Sequence, residues 1–213
     1  MNFLRFSVLN PIRRADPKSV LEALASVSGS VLSQCFSPDC CIGATKIGIE
    51  VLRRFQITGR PMPTAAVAMN AAYYHHVTSN SSQAPPADAR ILVIDDDLGS
   101  DERGYAGHLV IVGKIPGASF LLDLSASQFN RPKKDIVVSE PLLIELPVNT
   151  NFDGRWEALV PLESGYVVYG PHPKPNDKSW KDSPDWTLPT LKHREVFKVI
   201  CDELERRVLE QQP

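Results

Sequence analysis

The sequence predicts an α+β fold, with helices first, an antiparallel sheet behind them and a closing helix. Three observations carry this. Two early stretches, starting at Asp16 and Ser37, pair a helix-start signal with helical apolar spacing. Residues 107–129 read as two β-rich runs around a Gly/Pro turn, with further strands after them. The end of the chain returns to helical spacing. Helices and strands that are segregated along a chain, and do not alternate, mark α+β.

The first helix runs from Asp16 to Leu32. Asp16-Pro17 supplies a cap and a first-turn proline, and Val20, Leu21, Leu24 and Val27 form the apolar side. A loop with Gln34 and Cys35 follows. The second helix starts at Ser37-Pro38-Asp39, where Ser37 caps, Pro38 suits the first turn and Asp39 complements the dipole. It runs to about Phe55 and stops near Gly59. "PTAAVAMNAAYYHHV" reads as a strand region, "SNSSQAPPADA" as a polar loop, and "ARILVIDDD" as a short helix or strand. "GHLVIVGKIPGASFLLDLSASQF" is the plainest hairpin. "DIVVSEPLLIELP" and "ALVPLESGYVVYGPHP" add strands, and "KPNDKSWKDSPDW" is a loop. The last segment, from Leu188 to Gln212, is an amphipathic helix whose apolar positions are Leu191, Val196, Phe197, Ile200, Leu204 and Val208.

The chain has 213 residues, 43% hydrophobic and 23% charged, as globular proteins do. Its length suits a single domain over 1–213. With 23 basic and 25 acidic residues well mixed, it lacks the basic stripe of a nucleic-acid binder. No apolar run reaches the ~18 residues of a membrane span. In "MNFLRFSVLNPIRRADP" the arginines follow the apolar start, the reverse of a secretory signal, so the expected location is cytoplasmic. The four cysteines, Cys35, Cys40, Cys41 and Cys201, are expected to be reduced thiols.

Cys40 and Cys41 stand together at the start of the second helix. At about 100° per residue, Lys46, Glu50, Arg53 and Arg54 define its wet face, and Thr45, Gly48, Leu52 and Phe55 the buried one. Cys41 falls roughly 10° from the centre of the buried face and Cys40 roughly 90° away. A thiol in the first turn meets unpaired N–H groups and the positive end of the dipole, which favour the nucleophilic thiolate. On the hairpin, a six-residue turn from Gly113 to Ala118 would set His108 directly opposite Asp123, on one face and within hydrogen-bonding reach. Asp123 would then fix the ring's tautomer and stabilise the imidazolium. Leu109, Ile111, Phe120, Leu122 and Leu124 would face the other way, into core.

A helix-start Cys, a strand-start His and an Asp on the next strand together resemble the papain-like superfamily, in its transglutaminase-like and arylamine N-acetyltransferase-like branches. The pieces that carry the resemblance are "CIGATKIGIEVLRRFQITGRP", "GHLVIV" and "FLLDLSASQF". Similar phrasing occurs in uncharacterised bacterial and phage members. The resemblance implies Cys41 as nucleophile, His108 as general base and acid, and Asp123 as orienter. The implied enzyme attacks an amide or acyl bond through a thioester, as a hydrolase or a transferase, and needs no cofactor. Its substrate would be a protein, a peptide or a small amide or acyl compound. Papain-like peptidases also place a Gln before the Cys for the oxyanion. Gln34 is the candidate, and its spacing, six residues before Cys40 and seven before Cys41, keeps Cys40 as the alternative nucleophile. Where transglutaminases have glycine and aromatic residues around the nucleophile, this chain has Cys40 and Ile42. That departure favours the alternative expectation, a non-catalytic binding or effector module on the same fold.

The remaining candidates are weaker. The C-x4-C-C spacing of Cys35, Cys40 and Cys41 does not match a zinc site, so no metal is expected. Asp95, Asp96, Asp97, Asp101 and Glu102 read as a solvated acidic loop. His75 and His76 read as surface residues, His172 as a cleft residue at a strand end, and Cys201 as core. The loops around residues 79–88 and 173–187 are expected to decide the substrate.

Overall fold

A computed structural model describes residues 15–36, 40–79, 82–94, 105, 107–138, 141–187 and 190–210. The elements, in order, are α1 (Pro17–Cys35), α2 (Cys41–Arg54), β1 (Gly59–Asn70), α3 (Ala71–Thr78), β2 (Ile91–Ile94), β3 (His108–Ile115), β4 (Ala118–Asp123), β5 (Leu142–Pro147), β6 (Ala158–Pro161), β7 (Gly165–Pro171), the one-turn α4 (Pro184–Thr187) and α5 (Leu191–Glu210). The fold is mixed α+β, and every strand pairing is antiparallel.

The sheet runs β5-β4-β3-β1-β7-β6, with β2 paired to β1 beyond the end of β3. Its outer strands β5 and β6 approach each other, so the sheet curls nearly shut. Helices α1, α2 and α5 cover one face. There Leu24, Ala44, Leu52, Ile111, Leu122 and Ile200 form the first core. The enclosed face holds the second, built on Val110, Leu121, Phe129, Ile136, Val167 and Tyr169.

The long central strand β1 carries two prolines, and the ladder explains why it tolerates them. Ala71 N–H donates to Ser164 O and Asn70 N–H to Arg90 O. By alternation, the odd residues of β1 turn their backbone groups toward β7 and the even ones toward β2 and β3. Pro61 and Pro63 are odd, and they lie where β7 has already ended, at Pro171 opposite Thr64. Two residues without an N–H therefore break no ladder bond.

Several expectations are corrected. α1 continues to Cys35, so Gln34 and Cys35 belong to its last turn and not to a loop. The N-cap of α2 is Cys40, whose side chain makes no capping bond, and Ser37, Pro38 and Asp39 lie outside the described residues. α2 ends in a Schellman motif: Gln56 adopts φ 61, Ile57 N–H reaches Leu52 O and Gln56 N–H reaches Arg53 O. The expected strand over residues 63–77 breaks at Asn70. Its side chain accepts Tyr73 N–H and caps α3. Of "ARILVIDDD", Ile91–Ile94 is a strand, while the acidic residues Asp95, Asp96, Asp97, Asp101 and Glu102 lie outside the described residues. The loop after β7 contains a 3₁₀ turn, Ser179–Asp182, as well as α4. On α5, Val196, Ile200, Leu204 and Val208 are buried as expected, but Leu191 in the first turn is 76% exposed.

The hairpin register also differs. Its loop is only Pro116-Gly117, with Ile115 paired to Ala118 and Gly117 at φ +84. Proline pre-sets φ for the first central position and glycine supplies the positive φ of the second. The pairing is therefore shifted by two residues from the expected one, with Ile111 opposite Leu122. A two-residue shift, unlike a one-residue slip, keeps every side chain on its face.

Candidate active site

His108 opens β3 and Asp123 closes β4. They are diagonal neighbours on the enclosed face, and both are wholly buried. His108 Nε2 lies 2.7 Å from Asp123 Oδ2. Tyr169 of β7 donates its hydroxyl to that same oxygen at 2.7 Å. Asp123 Oδ1 accepts Ser125 N–H at 2.9 Å and the Ser125 hydroxyl at 3.1 Å. Both carboxylate oxygens are thus doubly bonded, which makes a fully buried charge tolerable.

Around the ring, Phe129 sits edge-on at 5.1 Å between centroids and Tyr169 is stacked at 6.2 Å. Thr64 and Tyr105 both donate hydroxyls to the backbone carbonyl of His108. The Gln128 carboxamide meets ring nitrogen Nδ1, and its nitrogen is 3.3 Å from Nε2.

Cys41 is the first residue of α2. One turn on, Thr45 Oγ1 donates to Leu109 O at 2.9 Å, which fixes the helix start against the start of β3. Gly48 continues this contact: a Cβ there would stand 2.5 Å from Ile111 Cδ1 and 2.6 Å from Leu124 Cδ1, so a larger residue would have to displace those side-chain ends. The buried helix face of Thr45, Gly48 and Leu52 is therefore the one that packs on the hairpin. After Asp123, the nearby Cys41 is the other group that holds the pKa of His108 up.

Burial opposes a charge on His108, but the charge and hydrogen bond of Asp123, with Cys41 adding, hold its pKa up at about 10. Asp123 is likewise penalised by burial and still lowered, by His108 first and then by Tyr169 and Ser125. Burial and the Asp123 charge push the Tyr169 hydroxyl well above its usual range, so it remains a donor.

Cys40 has a different surrounding. It was expected on the helix flank, yet it is 9% exposed and packs in the core between the helices. Burial, and then the charge of Cys41, push its thiol up to about 12. Cys201 is buried core as expected. All four cysteines are free thiols. Among the described residues no three of His, Cys, Asp and Glu converge to hold a metal ion, and no helix is long and apolar enough to cross a membrane.

Gln34, the oxyanion candidate, stands exposed in the last turn of α1. The glutamine that meets the site is Gln128, which lies in a 3₁₀ turn, Ala126–Phe129, just after β4. Sequence reading missed it because "SASQF" was absorbed into the hairpin. Tyr169 was missed as well: its link to Asp123 spans two intervening strands. His75 and His76 lie on α3, where no side chain is buried.

Cys41 is only 8% exposed. Leu109 and Trp180 pack on it, and Trp186 meets Trp180 edge-on at 4.5 Å. Trp180 also walls a cavity of about 570 Å³ lined by Arg60, Met62, Pro63, Phe152 and His172 among others. His172 is thus a cleft residue as expected, and the 173–187 segment is what covers the thiol. Comparison of the chain with protein-family models, with curated proteins and with solved structures finds no match.

Proposed function

We propose that this chain is a thiol enzyme of papain-like or transglutaminase-like character, acting on an amide or acyl bond with Cys41 as nucleophile, His108 as base and acid, and Asp123 as orienter. The observation that supports it most is the wholly buried His108–Asp123 pair at 2.7 Å, whose charge the nearby Cys41 at the start of α2 also favours. A wholly buried His–Asp pair is costly unless every partner is met. Its position at the mouth of a nucleophile helix gives that cost a purpose.

In this mechanism the thiol proton already rests on His108, as a thiolate–imidazolium pair that Asp123 stabilises. The thiolate attacks a substrate carbonyl, and His108 returns the proton to the leaving group. Water or an amine then resolves the thioester. The first-turn N–H groups of α2, which a helix leaves without an intrahelical acceptor, are the donors available to the oxyanion. Cys40 is the poorer nucleophile, because its raised pKa keeps its proton on at neutral pH. Substrates in view are a protein, a peptide or a small amide or acyl compound.

The test is thiol alkylation across pH, mapped by mass spectrometry. Modification at Cys41 that persists well below pH 8 and disappears in His108→Ala supports the reading. Preferential modification of Cys40, or a Cys41 profile indifferent to His108, overturns it. A second reading is a non-catalytic binding module, favoured by the closed state of the site, where His108 and Asp123 are wholly buried and Trp180 covers the thiol. It predicts slow modification of Cys41 that does not depend on His108.

A further inference from the structure

Gln128 has no part in that mechanism, yet it occupies the atom the mechanism needs. Nε2 of His108 is committed to Asp123 Oδ2 at 2.7 Å. The nitrogen left for proton exchange with a thiol is Nδ1, and the Gln128 carboxamide is already there. We propose that Gln128 is a positioning residue that competes with Cys41 for Nδ1 of His108 and holds the site in a resting form. This rests on the reading of Cys41 and His108 as a working pair and adds its regulation.

The competition holds in either protonation state. A bare Nδ1 accepts from the Gln128 amide NH₂. A protonated Nδ1–H donates to the Gln128 carbonyl once the carboxamide turns by about 180°, since its two ends have nearly the same shape and opposite hydrogen-bonding character. The raised pKa of His108 makes the second state the prevailing one at neutral pH. In both states the ring is satisfied without the thiol.

The backbone fixes this competitor firmly. Gln128 N–H donates to Ser125 O at 3.0 Å, and Arg131 donates to Gln128 O at 2.9 Å. Ala126 and Phe129, on either side, are wholly buried, and Gln128 itself is 6% exposed. Ser125 in turn is bonded through its N–H and its hydroxyl to Asp123. One continuous segment, from Asp123 to Phe129, thus carries both the orienter of the ring and its competitor. A buried carboxamide held this way, against an imidazole whose other nitrogen is already paired, is an arrangement that packing alone does not require.

The test compares wild type with Gln128→Met, which keeps chain length and removes both the donor and the acceptor. Alkylation of Cys41 by iodoacetamide at neutral pH is expected to rise roughly three- to tenfold, the factor carried by the net worth of one hydrogen bond, with the pH midpoint moving down. A rate that is unchanged or falls, in protein with wild-type circular dichroism, overturns the proposal. A measurement without any change at Gln128 guards against misfolding of that variant. In Cys41→Ala, read at a pH where the ring carries the same charge as in wild type, the ¹⁵N resonance of His108 Nδ1 is expected to stay at its wild-type position, because its partner is Gln128. A large move assigns Nδ1 to the thiol and overturns the competition. If wild-type Cys41 reacts just as it does in His108→Ala, the pair itself is absent. The enzyme reading then falls, and this proposal with it. A wild-type profile that does depend on His108, with Gln128→Met indifferent, defeats this proposal alone.

Discussion

The two faces of the β3–β4 hairpin are built from alternate residues of the same two strands to opposite ends. One face presents Leu109, Ile111, Phe120 and Leu122 to the helices, all buried and without a polar atom in their side chains. The other presents His108 and Asp123, equally buried, and surrounds them with Tyr169, Ser125 and Gln128. The period-two alternation of a strand makes this separation possible, since neighbours in sequence never share a face. The apolar face tolerates approximate partners, because dispersion and burial are non-directional. The polar face needs each hydrogen bond in place, because an unpaired buried group carries its full desolvation cost.

The sharpest way to break this comparison is one truncation on each face. Asp123→Ala leaves a buried imidazole without its counter-charge, and leaves the Ser125 and Tyr169 donors without an acceptor. Breaking a buried pair from one side costs about 3–5 kcal/mol. Leu122→Ala on the other face also destabilises, by about 2–5 kcal/mol. Denaturant melts should show both losses. Only Asp123→Ala should also abolish the dependence of Cys41 alkylation on His108. Equal effects of the two variants on the thiol would show that the faces are not functionally distinct.

Stability against pH separates the faces next. Asp123 is held below its ordinary value of 3.8, so its contribution is present above that value and lost as pH falls through the lowered one. His108 is raised from 6.5 to about 10, so its contribution is complete below 6.5 and fades as pH rises toward 10. The pair therefore stabilises fully between 3.8 and 6.5, and progressively less up to about 10. The difference in unfolding free energy between wild type and Asp123→Asn should follow that curve. The difference between wild type and Leu122→Ala should stay flat over the same range.

The apolar face was legible in the sequence almost residue by residue. Alternation in "HLVIV" and "FLLDL" and the wheel of "CIGATKIGIEVLRRF" name the residues that pack, because these signals repeat along the chain. His108 and Asp123 were legible for a related reason, since a lone polar group in an apolar run stands out, and Cys41 from its place at a helix start on the buried side of the wheel. The turn was not, because whether Pro116-Gly117 alone closes the hairpin depends on where the strands stop pairing. Only the parity of the error, two residues, preserved the inferred pair. Gln128 and Tyr169 left no local signal, since each reaches the site through a fold that brings distant or irregular segments together. The burial of Cys40 was missed for the same reason: a wheel describes one helix, and the packing of α1, α2 and α5 buries α2 from several sides.

Access to the polar face is a smaller effect and can be tested alone. Trp180 covers Cys41 from a 3₁₀ turn that carries no other buried residue, and its indole N–H is buried without a partner. Trp180→Ala should raise the alkylation rate of Cys41 severalfold at every pH while leaving the pH midpoint in place, because it changes exposure and not the proton partners. A shifted midpoint would tie the 173–187 segment to the proton network itself.

Tyr169→Phe is the smallest change proposed and the most discriminating within the network. It removes one donor from Asp123 Oδ2 and leaves the other three bonds to the carboxylate standing. The expected loss is about 1.5 kcal/mol, the low end for a hydrogen bond to a charged group. Its sign against pH is informative. Tyr169 is one of the groups that lower Asp123. Without it the folded carboxyl moves back toward its ordinary value, and the acid loss of stability should begin at higher pH than in wild type. The alkaline limb, which belongs to His108, should move little, because the 2.7 Å contact to Asp123 survives. A variant that loses the alkaline limb as well would show that the phenol, through the Oδ2 it shares with His108, holds the imidazole in place. The polar face would then act as one cooperative unit and not as a pair with supports.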